Sequence, residues 1–81
     1  MENRISVVSI IVEEIAATAA INSLLHEYGQ YIIGRMGIPH KERNISIISV
    51  VIDAPADVTS SLSGKLCMIK GVKAKTLTAK N

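Results

Sequence analysis

Two runs of eight residues carry almost the same pattern of aliphatic and polar positions. Ile5–Val12 reads Ile-Ser-Val-Val-Ser-Ile-Ile-Val, and Ile45–Ile52 reads Ile-Ser-Ile-Ile-Ser-Val-Val-Ile. Each run has serine at its second and fifth positions and a β-branched aliphatic residue everywhere else. Because branching at Cβ stiffens χ1 and suits a pleated, packed surface, the runs predict two matching strands, one in each half of the chain.

Both alternating faces of these strands are apolar. A strand with one face in water alternates apolar and polar residues, whereas a nearly continuous apolar run indicates burial on both faces. A chain of 81 residues can cover one face of a sheet with its own helices and has little left for the other. We therefore expect a second subunit to cover the other face.

Two further segments have the spacing of amphipathic helices. The first follows Glu13 and Glu14, which suit a helix N-terminus, and Gly29 is expected to end it in the left-handed conformation. Its apolar face consists of Ala17, Ile21, Leu24 and Tyr28.

The second helix is predicted to begin near Pro55, which suits a first helical turn, and to end at Gly71. Gly64 predicts close packing inside this helix, since glycine costs about 1 kcal/mol relative to alanine there. The apolar stripe consists of Val58, Leu62, Leu66 and Ile69.

Two remaining segments are predicted as strands. Gln30–Pro39 is expected to form a hairpin with Ile45–Ile52 and to place Ile32 on the same face as Met36. Val72–Lys80 is expected to be the last strand, with two lysines on one face, a pattern that discourages pairing between sheet edges.

The resulting order is β-α-β-β-α-β, which is the ferredoxin-like arrangement of two split βαβ halves. We therefore expect a single α+β domain over residues 1–81, with a four-stranded antiparallel sheet and two helices on one face. The first and third strands are the central pair in that topology. The two matching runs then lie where burial is greatest.

Composition supports a packed core, because 48% of the residues are apolar. No apolar run approaches the roughly 18–20 residues needed to span a bilayer, and the first residues lack the shape of a signal peptide. We therefore expect a cytoplasmic protein without a membrane partner. The lone cysteine, Cys67, cannot form an internal disulfide.

Charge is divided unevenly along the chain. Residues 1–34 hold one basic and four acidic side chains, a net charge of −3, whereas residues 35–81 hold eight basic and three acidic side chains, a net charge of +5. Such polarity can attract an anion or a complementary subunit.

Several segments together resemble a known family. They are Val8–Val12, His26–Gly29, Tyr31–Pro39, Ser46–Val51, Asp53–Pro55 and Gly64–Leu66. In these segments the chain resembles the iron-only hydrogenase system regulators, small proteins similar to ACT domains and to the C-terminal domain of the nickel-responsive repressor. Tyr31–Pro39 is the most specific part of the resemblance, which covers nearly the whole chain.

The resemblance implies an ACT-like ferredoxin fold, assembly into homodimers or homotetramers, and a regulatory role that is sensed through a small ligand. No cofactor is expected. The strand that holds metal-binding histidines in relatives of the nickel repressor corresponds to Ile45–Ile52, which has none. The turn that holds an amino acid in many ACT domains is Glu13-Glu14-Ile15 here. No residues remain for a separate segment that reads DNA.

The candidate ligand site is Gly34, Arg35, Met36 and Gly37, with Lys65 as a second positive charge. Glycines permit close backbone approach, and the planar guanidinium of Arg35 suits a carboxylate or phosphate. The alternatives are a bulge at the glycines, an Arg35 that pairs with an acid across a subunit interface, and a Lys65 on the wet side of its helix. An anionic effector between subunits would satisfy both interpretations of Arg35.

A metal site is not expected, although His26, His40 and Cys67 are ligands of suitable type. They lie on three different predicted elements and lack ligand spacing. The only aromatic residues are Tyr28 and Tyr31, which are too few for a platform on which nucleic-acid bases stack.

No catalytic residue is expected either. Asp53 and Asp57 are better explained as a cap and a first-turn acid of the second helix than as a catalytic pair. Ser9 and Ser49 have no histidine or lysine close in sequence.

The leading hypothesis is a non-enzymatic regulatory module that binds a small effector at subunit interfaces and passes that state to a protein partner. Such coupling needs different effector affinities in two assembly states. The alternative is an oligomeric scaffold for hydrogenase assembly that binds no small ligand. A small enzyme would need a cluster of acid, base or nucleophile that the sequence does not display.

Overall fold

The strands and helices of the structure follow one another in the order that the sequence predicts. The computed structural model describes residues 2–80, with three single 3-10 turns between the main elements. Those elements, in chain order, are β1 (Asn3–Val12), α1 (Thr18–Glu27), β2 (Ile32–His40), β3 (Ile45–Pro55), α2 (Ala56–Cys67) and β4 (Val72–Thr78). The strands form one antiparallel sheet in the order β2-β3-β1-β4. The predicted ferredoxin-like fold and its central strand pair are confirmed.

The two matching runs pair with each other along the middle of the sheet. Val8 lies opposite Val50, and Ser9 lies opposite Ser49. Antiparallel partners point their side chains to the same face, so equivalent positions of the two runs lie together.

The core lies between the sheet and the two helices. Leu62 and Leu66 of α2 and Ile21 of α1 are fully buried, as the predicted helical stripes require. The second helix ends at Cys67 rather than at Gly71, so Ile69 of the predicted stripe lies beyond it. The core residues contributed by the two central strands are Val8, Ile10, Val12, Ile48, Val50, Ile52 and Ala54.

The opposite face of the sheet carries no helix of the described chain; we call it the open face. Each central strand turns part of its aliphatic residues to this face, where Ile11 is 41% and Ile47 is 44% exposed. The other exposed large apolar side chains there are Ile5, Met36, Ile38 and Leu77. Lys73 and Lys75 share this face on β4, opposite Ile11 and Ser9, as predicted.

Three local predictions about glycines need correction or refinement. Gly29 has no left-handed backbone and begins the 3-10 turn Gly29–Tyr31 instead. A Cβ at Gly64 would meet nothing within 4 Å among the described residues, so close packing there is wrong. The predicted bulge is present between Ile32 and Gly34, and it turns Ile32 to the helix face while Met36 lies on the open face.

Candidate functional site

The predicted Gly34–Gly37 segment lies on the edge strand β2, and the structure divides its side chains between the two faces of the sheet. Arg35 pairs in register with the buried Val50 and so lies on the helix side. Met36 pairs with Ser49, lies on the open face and is 62% exposed. Arg35 and Met36 therefore cannot contact one small ligand from the same face.

Arg35 and Gly37 line a cleft of about 240 Å³ between α1, β2 and β3, which we call the α1 cleft. Arg35 donates a hydrogen bond from Nη2 to Oδ1 of Asn22 at 3.1 Å, and both side chains are exposed. Most of the remaining lining is aliphatic: Val12, Ile38, Pro39, Ile47 and Ile48, with Thr18 and Ser46. Arg35 is the one positively charged residue in the lining of this cleft, and its guanidinium already donates to the amide oxygen of Asn22.

Lys65 belongs to a different part of the molecule. Its Nζ lies 3.6 Å from Oε2 of Glu27 and 5.3 Å from the centre of the Tyr28 ring, so it bridges α2 to the end of α1. The Tyr28 side chain, with a smaller contribution from Glu27, raises the pKa of Lys65 above its ordinary value. Lys65 is not among the residues that line the α1 cleft. The ligand-binding role of the segment and of Lys65 stays a prediction.

A second cleft, of about 300 Å³, lies between α2 and the strands β1 and β4; we call it the α2 cleft. Arg4 is the one charged residue in its lining, and six residues bring hydroxyl groups: Ser6, Thr59, Ser60, Ser63, Thr76 and Thr78. Ser6 and Thr78 hydrogen-bond to each other at 2.8 Å between Oγ and Oγ1. Thr59 is 5% exposed, and its Oγ1 has no hydrogen-bond partner in the described chain.

Sequence reasoning missed the α2 cleft because its residues come from three distant segments. One signal was available: Thr59, Ser60, Ser61 and Ser63 lie within five positions of a helix. Serine and threonine are weak helix formers because their hydroxyls compete for the backbone. Ser61 bonds to the Tyr28 hydroxyl at 2.9 Å, but the other three line the cleft.

The histidine, cysteine and acidic side chains that could bind a metal lie apart in the described part of the chain. Within residues 2–80, no group of three or more His, Cys, Asp or Glu side chains is placed to hold a metal ion. Cys67 is exposed and donates a long hydrogen bond from Sγ to the Ala74 carbonyl at 3.6 Å.

The two aspartates have separate positions. Asp53 lies on β3, paired with Ile5, so the predicted cap role for Asp53 is wrong. Pro55 takes the N-cap position of α2. Asp57 lies in the first turn, as predicted, and its Oδ1 accepts a hydrogen bond from the Val58 N–H at 3.0 Å.

A family model matches residues 4–76, and its description reads "TM1266-like: Iron-only hydrogenase system regulator, putative". The chain belongs to the TM1266-like family. TM1266 of Thermotoga maritima, an uncharacterized protein, has a solved structure that matches this chain with a TM-score of 0.93 and 38% identity over 98% of this chain and 100% of that one. The resemblance stated from the sequence is thereby confirmed.

Two other solved structures share the fold at lower identity. A formyltetrahydrofolate deformylase from Pseudomonas putida KT2440 has a TM-score of 0.68 and 12% identity, covering 95% of this chain and 29% of that one. A nitrogen regulatory PII-like protein from Thiomonas intermedia K12, bound to ADP, AMP and bicarbonate, has a TM-score of 0.55 and 15% identity over 94% of each chain. A comparison with curated proteins gave no match. No helix of residues 2–80 is long and apolar enough to cross a membrane.

Proposed function

We propose that this TM1266-like protein is a cytoplasmic, non-catalytic regulatory module of an iron-only hydrogenase system that works as a homo-oligomer and responds to a small anionic effector. Family membership supplies the regulatory context. The open face is the main support for the proposed homo-oligomer, because it leaves an apolar sheet surface uncovered.

The amount of exposed surface supports association. The chain exposes 5461 Å², whereas a compact monomer of 8.7 kDa averages about 4,700 Å². The excess is about 700 Å², and the elongated shape of the chain, 41 × 18 × 17 Å, contributes to it. Contiguous apolar patches of several hundred Å² on a small protein mark interaction sites.

A second copy of the chain is the occupant that fits this face best. The two central strands present nearly the same residues in antiparallel register, so the face repeats itself about an axis near Ser9 and Ser49. A two-fold interface needs a patch that is complementary to itself. Small serines at the centre let two sheets approach closely, and their hydroxyls can pair across the contact.

Assembly is tested with one charge placed on the open face and the same charge placed elsewhere. Ile47→Asp puts a carboxylate on the open face, and Ile15→Asp puts one on a residue that is 71% exposed in the turn before α1. By native mass spectrometry we expect the wild type and I15D to be dimers or tetramers and I47D to be monomeric and folded. A wild type that is monomeric at micromolar concentration would refute the assembly.

The regulatory role is tested in the host by deleting the gene and complementing it with each allele. We expect the deletion to change the level of iron-only hydrogenase transcripts, and the wild type and I15D, but not I47D, to restore it. Hydrogenase activity that falls while transcripts stay constant would instead support the oligomeric scaffold. No change in either quantity would contradict both functions.

A further inference from the structure

We propose that the α2 cleft is a binding site for a small oxyanion, a phosphate or carboxylate group on a compact metabolite. The inference rests on the proposed function only for the consequence of binding, since binding itself depends on residues within one chain. The site differs from the predicted segment around Arg35. The cleft is at the small end of the 300–1,000 Å³ typical of ligand pockets.

The chemistry of the lining favours an anion. Arg4 provides a guanidinium, Ser60, Ser63 and Thr76 provide hydroxyls outside the Ser6–Thr78 hydrogen bond, and none of the lining residues is acidic. Guanidinium groups bind phosphate and carboxylate through paired hydrogen bonds. A cation would find no carboxylate in this lining.

The beginning of α2 adds backbone donors at the same place. Ala56, the first residue of α2, lines the cleft, and Pro55 before it makes no side-chain cap. The first N–H groups of a helix lack intrahelical partners and attract anions. Asp57 accepts from the Val58 N–H and offsets part of this positive end, but its side chain is not part of the cleft.

The buried hydroxyl of Thr59 also indicates a ligand in the α2 cleft. Thr59 lines the cleft, only 5% of its surface is exposed, and its Oγ1 has no hydrogen-bond partner in the described chain. Buried hydroxyls are normally hydrogen-bonded, and a persistent exception calls for a missing partner. A ligand oxygen in the cleft would provide that partner once Thr59 turns its hydroxyl toward it about χ1.

The internal repeat shows that the fold does not impose this polarity. A shift of forty residues relates Ser6 of the α2 cleft to Ser46 of the α1 cleft, and each cleft lies between one helix, one central strand and one edge strand. The α1 cleft is lined mostly by aliphatic residues, whereas the α2 cleft is lined mostly by hydroxyls. The hydroxyls are therefore concentrated in one of the two clefts.

The α1 cleft supplies controls for the test. Inorganic phosphate, acetate and glycerol are titrated separately into ¹⁵N-labelled protein while amide shifts are followed, using Thr59→Val and Arg4→Gln in the α2 cleft and Thr18→Val and Arg35→Gln in the α1 cleft. Amide dispersion in each spectrum reports whether the variant is folded. The titrations are repeated in I47D, so that binding is measured whatever the state of assembly.

We expect saturable shifts at Thr59, Ser60 and Ser63, with dissociation constants raised about tenfold in T59V and in R4Q and unchanged in T18V and R35Q. Saturation by phosphate identifies a phosphate group and saturation by acetate a carboxylate; either supports the site. Saturation by glycerol alone, no saturation by any probe, or loss of binding in R35Q rather than in R4Q would overturn it. The last result would return the effector to the Arg35 segment and leave the proposed assembly intact.

Discussion

Ser9 and Ser49 lie opposite each other on β1 and β3, at the middle of the open face. They are the fifth residues of the two matching runs. Because the two strands are antiparallel, residues before Ser9 in one run pair with residues after Ser49 in the other. If a second copy covers this face, the serine pair lies near the centre of the interface, where a large charged side chain cannot stay hydrated.

Ser49→Arg is therefore expected to weaken association without unfolding the chain. An unpaired buried charge costs several kcal/mol, so the dissociation constant should rise roughly 100-fold. Sedimentation velocity over a dilution series measures the change, and circular dichroism checks the fold. The matched control is Ser23→Arg on the exposed surface of α1, which should leave the constant unchanged. Equal association of the two variants would place the interface away from the open face.

A second expectation concerns the ammonium group of Lys65. Because Tyr28 raises its pKa, Tyr28→Phe should lower that pKa toward the ordinary value, which a pH titration of the Lys65 ¹³Cε resonance measures. A group whose pKa is raised in the folded state contributes its full stabilisation at pH values below its unfolded-state pKa. This stabilisation is lost as the pH rises through the folded-state pKa. Ser61→Ala, which removes the hydrogen-bond partner of the Tyr28 hydroxyl and leaves Tyr28 in place, should leave the pKa of Lys65 raised. An unchanged pKa in Y28F would exclude Tyr28 as the cause.

The sequence patterns that predicted the fold correctly are those with many mutually consistent residues. Eight β-branched or serine positions specify each central strand, and four residues at helical spacing specify the stripe that buries Leu62 and Leu66. Predictions that rested on one glycine were less reliable. Gly29 ends no helix in the left-handed region, and a Cβ at Gly64 would meet nothing within 4 Å among residues 2–80, because a glycine tolerates such roles without requiring them.

The bulge in β2 shows why the candidate site was only partly predictable. Gly34 suggested it, but the face of each later residue depends on where the extra residue lies. Strict alternation put Ile32 and Met36 together, whereas the register shift separates them. The α2 cleft could not be assembled from spacing at all, since Arg4, Thr59 and Thr78 meet only through the pairing of β1 with β4 and the packing of α2.

Thr59→Val should stabilise the ligand-free protein. Valine has the same shape, and it removes a hydroxyl that is buried without a partner, so the free energy of unfolding should rise by about 1 kcal/mol. In a domain of this size that corresponds to an increase of about 4–8 °C in Tm, measured at one fixed protein concentration. Ser6→Ala is the opposite case, because it removes a bonded hydroxyl and should cost about 1 kcal/mol. A destabilised T59V would mean that the hydroxyl is paired in solution.

Gly71 is the one glycine among the described residues whose backbone has a positive φ, +81°. Its carbonyl accepts the Glu13 N–H at 2.7 Å, which ties the end of β1 to the start of β4. A Cβ at this position would lie 2.6 Å from Cγ of Glu14. Glu14 is exposed and can move aside, but the left-handed backbone remains unfavourable for any residue with a Cβ.

Gly71→Ala should therefore lower the free energy of unfolding by about 1–2 kcal/mol, measured by urea denaturation. Gly64→Ala is the matched control, since it adds the same methyl group to a helix in open space. That change should raise the free energy of unfolding by about 0.5–1 kcal/mol. The opposite signs separate backbone strain from any general effect of a glycine-to-alanine change. A G71A protein as stable as the wild type would show that the connection between α2 and β4 can adopt a backbone without positive φ, and that its hydrogen bond to Glu13 does not depend on glycine.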